Sequence, residues 1–148
     1  MKTIAFQIAT PERVVFGAPQ VEAITLPTKL GEITILPEHI PLVSALVPGE
    51  VRVKVGGQEV TMAVSGGFIE VRGSRVVVLA DTAERAEEID EARAEEARTR
   101  ARELMAHGAT TEGTDFAGLA GKIEKELARL RVVRKHRSRQ VPGAKFGE

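Results

Sequence analysis

The sequence predicts an α+β protein: an antiparallel β-sandwich or barrel followed by an antiparallel helical hairpin. Up to about Ala80, apolar residues recur at every second position, whereas from Asp81 they recur with the spacing of a helix. Pro and Gly punctuate the first segment repeatedly, but neither occurs between Asp81 and Gly108. A chain of 148 residues, 43% apolar and 28% charged, has the length of one ordinary domain or two small ones and enough apolar side chains for a core.

The strands follow in order. Ile4, Phe6 and Ile8 alternate with Thr3, Ala5, Gln7 and Ala9, and Val21, Ala23 and Thr25 alternate less cleanly with Glu22 and Ile24. Val51, Val53 and Val55 interleave with Arg52 and Lys54, the pattern of a strand with one buried face. Breaks fall at Thr10-Pro11-Glu12, Gly17-Ala18-Pro19, Pro27-Thr28, Pro37-Glu38, Pro48-Gly49, Gly56-Gly57, Gly66-Gly67 and Gly73-Ser74. Short strands between such regular turn signals suit an antiparallel sandwich or barrel. Gly56-Gly57 predicts a tight hairpin, because glycine reaches positive φ at little cost. Ser65 in Ala63-Val64-Ser65-Gly66-Gly67 resembles a nucleophile elbow without its first glycine, but an elbow leads into a helix and Phe68-Ile69-Glu70-Val71 reads as a strand. A bulge or hairpin corner fits better there.

The helices come next. Asp81-Thr82-Ala83-Glu84 reads as an N-cap with a carboxylate three residues on, and Gly108 as the residue that ends the first helix. Ala86, Ile89, Arg93/Ala94, Ala97, Ala101, Leu104 and Met105 form a stripe poor in area but open to close approach of a partner helix. After a polar connector, Ala109 to Thr114, a second helix carries Phe116, Leu119/Ala120, Ile123, Leu127, Leu130 and Val133/Arg134. Gly118 and Gly121 weaken its first turns by about 1 kcal/mol each relative to Ala. The pair reads as a docked, detachable hairpin. The expected division is a sandwich over 1–83, a hairpin over 84–136 and a basic flexible tail over 137–148, with Pro142 and Gly143 fraying its end.

Charge and composition exclude much chemistry. The 21 basic residues balance 21 acidic ones, which argues against a whole surface built for nucleic acid or anionic lipid. The balance is uneven along the chain: residues 1–80 are neutral, 81–128 hold seven basic and thirteen acidic residues, and 129–148 hold seven basic and one acidic. Without cysteine there is no disulfide, thiolate metal site or Cys nucleophile. His39, His107 and His136 lack metal-ligand spacing, and no phosphate loop or G-x-G-x-x-G occurs. The alternating N-terminus does not read as a signal peptide, and the apolar run Val76 to Ala80 is far too short to span a bilayer. These features predict a soluble intracellular chain that is not itself an enzyme. Six basic residues from Arg129 to Arg139 leave open a second function class, a β-sandwich binding module whose basic arm holds RNA or DNA weakly.

Four strings carry a family resemblance. Gly31-Glu32-Ile33-Thr34-Ile35-Leu36-Pro37-Glu38-His39-Ile40-Pro41-Leu42 resembles the G-E-x-G-I-L-P-G-H-x-P-L segment of the epsilon subunit of bacterial rotary ATP synthases, with Thr34 and Glu38 where that motif has glycine. Val64-Ser65-Gly66-Gly67-Phe68-Ile69-Glu70-Val71, Val78-Leu79-Ala80-Asp81-Thr82-Ala83-Glu84 and Ile89-Asp90-Glu91-Ala92-Arg93-Ala94 resemble its next three motifs, in family order. The resemblance implies a ten-stranded sandwich plus hairpin. It further implies a non-catalytic central-stalk subunit, peripheral on the cytoplasmic face of the bacterial membrane, that couples rotation and inhibits ATP hydrolysis. Its implied partners are the gamma subunit, the ring of c subunits and the alpha and beta subunits of the catalytic head.

Three sets of residues follow from the resemblance. Glu32, Thr34, Leu36, His39 and Leu42 match the end that faces the ring, and two prolines stiffen that loop. Glu84, Ile89, Asp90, Arg93, Ala94 and Arg100, with Lys125 and Arg129 on the second helix, match a site for regulatory ATP; no cofactor or metal is otherwise required. Asp90 can accept adenine amino hydrogens, Arg93 or Arg100 can pair with phosphate, and Ala94 leaves room for the base. The same residues also suit a plain helix surface with an Asp90–Arg93 pair. Arg129, Arg131, Arg134 and Lys135 match the stripe that an extended hairpin offers to acidic surface on the catalytic head.

Overall fold

The computed structural model describes residues 2–107 and 116–140. Ten strands form two five-stranded sheets. The first sheet has the order β2-β1-β9-β8-β5, from Val14–Val21, Ile4–Ala9, Arg75–Ala80, Gly67–Arg72 and Leu42–Leu46. The second has the order β10-β7-β6-β3-β4, from Ala83–Arg85, Gln58–Val64, Gly49–Val55, Ala23–Thr28 and Gly31–Ile35. Neighbours are antiparallel except β1 and β9, which run parallel. The sheets face each other across a core of Ile4, Phe6, Ile8, Ile24, Leu26, Ile35, Val51, Val53, Met62, Ile69, Val76 and Val78. A helical hairpin of Glu91–His107 (α1) and Phe116–Gln140 (α2) follows, so the sandwich-plus-hairpin architecture is present as expected.

Alternation maps directly onto burial where the strand stays in one sheet, as in Val51 and Val53. Around residue 22 the expected phase is wrong. The chain bends at Glu22 and passes from the first sheet to the second, so Val21 and Ile24 point inward and the expected Val21, Ala23, Thr25 face does not exist. Two expected breaks are strand interior. Pro19 lies in β2, an edge strand, and Pro27 lies in β3 beyond Thr25, where pairing with β6 stops. In both places a missing N–H costs the ladder nothing. Gly56 and Gly57 form the expected tight turn, at φ 57° and 76°.

The sheet-to-helix junction differs from the expectation. Asp81 does not cap a helix. Ala83–Arg85 adds a tenth strand against Met62–Val64 of β7, a 3-10 turn spans Ala86–Glu88, and α1 starts at Glu91. Its N-cap is Asp90, whose Oδ1 accepts from the Arg93 N–H at 3.1 Å. Gly108 and the connector at 109–114 lie outside the described residues.

α2 lies on β6 and β7 of the second sheet, and α1 packs on α2. Ala94 and Ala101 of α1 are buried, as are Ala128, Leu130 and Val132 of α2. The apolar joint between hairpin and sandwich is small: Ala63, Ala86, Ile89 and Val132, with Val133 beside them. The flexible tail expected from residue 137 is instead helical through Gln140, because Arg137 pairs with Glu91 at 3.3 Å and Arg139 with Glu59 at 2.9 Å. Residues 141–148 lie outside the described set.

Candidate functional site: the cleft between hairpin and sandwich

Where β10 gives way to α1, a cleft of about 570 Å³ opens between sandwich and hairpin. Glu84 of β10, Glu88 of the 3-10 turn, Asp90, and Arg93, Glu96 and Arg100 of α1 line it, with Arg129 reaching in from α2. Arg93 and Arg100 share this wall with Glu96 and Ala97 because spacings of three and four residues return to one helix face.

Arg129 is the structural hub. Its Nε and Nη2 donate to the two oxygens of Glu84 at 2.5 and 3.1 Å, and its Nη1 donates to Glu126 at 2.7 Å. Burial acts to lower its pKa, but the hydrogen bonds it donates to both carboxylates, with their negative charges, more than offset that and hold the guanidinium firmly charged. Glu88 is also occupied. Arg13 Nη2 donates to both of its oxygens at 3.0 Å and the Arg85 N–H to one of them at 3.0 Å, and these hold its carboxyl below the ordinary glutamate range. Among the described residues, no ion pair or hydrogen bond engages the guanidinium of Arg93 or Arg100, so two cations face the cleft uncommitted.

Five of the eight expected nucleotide-site residues therefore share this cleft: Glu84, Asp90, Arg93, Arg100 and Arg129. Lys125 faces an adjoining groove of about 330 Å³ lined by Thr10, Arg13, Asp81 and Thr82, and Glu84 stands between the two. Ile89 and Ala94 do not line the cleft. Ile89 is in the apolar joint and Ala94 is fully buried. Sequence reasoning missed Glu88, Glu96 and Glu126, which are carboxylates spaced like any solvated helix charge and carry no local signal.

The expected ring-facing residues lie on β4, β5 and the loop that joins them. Glu32 pairs with Arg52 at 2.8 Å, and the Thr34 and Thr25 hydroxyls hydrogen-bond at 3.1 Å. In the loop, His39 donates its N–H to Leu36 O at 3.1 Å and contacts Ile40 O through Nδ1 at 2.7 Å. Leu36 and Ile40 are exposed, while Leu42 packs against the core.

The expected inhibitory stripe is occupied internally. Arg134 pairs with Glu91 at 3.1 Å and Glu95 at 3.3 Å, and Lys135 pairs with Glu50 at 2.9 Å. Arg129 is in the cleft, and Arg131 donates only to its own helix, at Leu127 O. The outer face of the first sheet shows a different character. Val43, Phe68 and Leu79 are exposed there on three neighbouring strands, with Ala45 opposite Phe68 and Phe68 opposite Leu79.

A ten-stranded sandwich carrying a docked helical hairpin, with a charged cleft at the joint and no strand-to-helix nucleophile turn at Ser65, defines a two-part α+β protein. Residues 3–86 match the ATP synthase delta/epsilon chain beta-sandwich domain and residues 87–134 match the delta/epsilon chain long alpha-helix domain, so the chain belongs to the ATP synthase delta/epsilon family. It is 47% identical over 134 residues to the ATP synthase epsilon chain of Chloroflexus aggregans, covering 90% of this chain and 94% of that one. Against the epsilon chain of Bacillus subtilis it is 42% identical over 135 residues, covering 91% and 100%. A solved chain of the Euglena gracilis mitochondrial ATP synthase, in a structure of its OSCP, F1 and c-ring, superposes with TM-score 0.76 at 25% identity, covering 90% of this chain and 82% of that one. The chain is thus an ATP synthase subunit of the epsilon type. No helix among the described residues is long and apolar enough to cross a membrane.

Proposed function

We propose that this subunit is a non-catalytic part of the rotor, which couples rotation of the ring of c subunits to the catalytic head and restrains ATP hydrolysis through its hairpin. The observation that carries the reading is the character of the joint. Four small or medium apolar residues and a set of partly exposed ion pairs hold the hairpin to the sandwich. Such a joint can be exchanged for contacts elsewhere at modest cost, whereas the sandwich core cannot.

In this reading the exposed apolar stripe of Val43, Phe68 and Leu79 packs on the gamma subunit, since a contiguous apolar patch on one sheet face suits a stable protein partner. The loop bearing Glu32, Thr34, Leu36, His39 and Leu42 rests on the c-ring, at the cytoplasmic side of the bacterial membrane. Undocked, α2 offers Arg131, Arg134 and Lys135 to acidic surface on the alpha and beta subunits. Regulatory ATP enters the cleft, where Arg93 and Arg100 receive phosphate and Arg129 joins them by leaving Glu84. Occupying the cleft ties β10 and α1 to α2 and favours the docked state, by the difference in ATP affinity between docked and undocked forms.

The test is ATPase turnover of the reconstituted complex carrying the full subunit, the subunit ended after His107, or Arg131→Ala/Arg134→Ala/Lys135→Ala. Both changes raise turnover if the hairpin restrains hydrolysis. Equal turnover in all three leaves a coupling subunit only.

A further inference from the structure

The outer face of the second sheet carries an unbroken row of opposite charges that ends on α2. Glu32 of β4 pairs with Arg52 of β6 at 2.8 Å, and Arg52 also reaches Glu50 of β6 at 3.5 Å. Glu50 pairs with Lys135 of α2 at 2.9 Å, Lys135 lies 3.9 Å from Glu59 of β7, and Glu59 pairs with Arg139 at 2.9 Å. The pleat places Glu50 and Arg52 outward because Val51 and Val53 are buried, and Glu59 outward on the face shared with Ala63. Lys135 and Arg139 are four residues apart, hence on one face of α2. The apolar joint ends at Val132 and Val133, and beyond it this row ties the last two turns of the helix to the sheet.

We propose that Glu50 and Glu59 are an electrostatic latch for the C-terminal end of α2, and that Arg52 sets its strength by competing with Lys135 for Glu50. The inference rests on the movable hairpin of the reading above. The latch holds in place a cation that the catalytic head would otherwise receive, so Lys135 can serve one acidic surface or the other but not both. Arg52 is itself tethered by Glu32: burial acts to lower its pKa, but the hydrogen bonds to Glu32 and Glu50 and the charges of both carboxylates together outweigh it and keep the guanidinium charged. Anything that draws Glu32 away frees Arg52 for Glu50 and loosens Lys135.

The chain contains no cysteine, so spin labels enter cleanly at Gln20→Cys on β2 and Lys122→Cys on α2 of the full chain, both exposed. Pulsed dipolar spectroscopy then reads the docked and undocked populations. Glu50→Gln/Glu59→Gln raises the undocked population about threefold or more at low salt, the scale of two partly exposed pairs lost together. Raising salt from about 50 mM to about 0.5 M does the same to the parent and adds little to the double variant, because screening removes what the variant already lacks. Arg52→Gln lowers the undocked population, and Arg72→Gln, in a pair on the other sheet, leaves it unchanged. Equal populations in parent and double variant, an undiminished salt response in that variant, or a response to Arg72→Gln as large overturns the latch. ATPase turnover of complexes carrying the same variants is read separately: a latch response without a change in turnover removes the brake and leaves the latch standing.

Discussion

Glu38 sits at φ 68°, the left-handed region that favours glycine, at the position where the motif it resembles has one. An L side chain there costs about 1 kcal/mol, and the exposed Lys2–Glu38 ion pair returns little of it. Glu38→Gly therefore raises unfolding stability by about 0.5–1 kcal/mol in urea titration. Gly67 is the opposite case, a required glycine. At φ 136° its absent Cβ would lie 2.7 Å from Ala80 Cα and closer still to Leu79 O, so Gly67→Ala destabilises by more than about 2 kcal/mol at this strand crossing. Glu88 gives a pH signature. Its carboxyl is held below the ordinary range first by the Arg13 hydrogen bonds, then by the Arg85 N–H. The stability it contributes is complete above the unfolded glutamate pKa, about 4.3, and is lost as pH falls through the depressed folded value. Glu88→Gln flattens that acid limb of stability against pH, and lowers the neutral-to-basic plateau by the same amount without changing its slope.

Among elements, the sandwich and the hairpin differ in what holds them. Sheet faces bury Ile, Val, Leu, Phe and Met continuously across the core, while α1 buries only Ala94 and Ala101. Because β10 closes the second sheet against β7, the sandwich is complete only past Arg85, a few residues beyond the boundary that periodicity suggested. A chain ending at Ala86 keeps a β-type circular dichroism spectrum and a cooperative thermal transition. Loss of that transition would mean that α2 is part of the fold's minimum core. Within α2, Glu126 is buried with Arg129 as its partner. Arg129→Met strands that carboxylate and costs about 1–3 kcal/mol, whereas Arg129→Met/Glu126→Gln recovers part of the loss.

For the whole molecule, the nucleotide reading is tested by calorimetry on the intact subunit. Arg93→Ala/Arg100→Ala weakens ATP binding by about tenfold or more with little effect on melting, because neither side chain has a partner to lose. Asp90→Ala is a poorer probe, since it also removes the α1 N-cap at about 1 kcal/mol. Absence of any heat from millimolar ATP with the parent subunit would leave the cleft without this ligand, and the hairpin equilibrium to the ion pairs alone.

The sequence by itself determined the division into sandwich and hairpin, the hairpin turn at Gly56-Gly57 and the family, because periodicity and motif strings are local properties of the chain. Three residues of the cleft, Glu84, Asp90 and Arg93, were legible for the same reason, as members of short matched strings, and Arg100 and Arg129 by their places on the two helices. Tertiary structure alone decided the inward phase after Glu22, the edge positions that tolerate Pro19 and Pro27, and the tenth strand that displaced the helix cap from Asp81 to Asp90. Each depends on which sheet a segment joins, and alternation is blind to that choice. Tertiary structure also decided the distant partners of Arg129, Arg134, Lys135, Arg137 and Arg139 in α2. Glu50 and Glu59 lie about eighty residues before Lys135 and Arg139, and a carboxylate on a strand bears no mark of the helix that will cover it. Pairing at that separation is fixed by docking, so a basic stretch that reads as a loose tail in sequence becomes the last turns of a held helix.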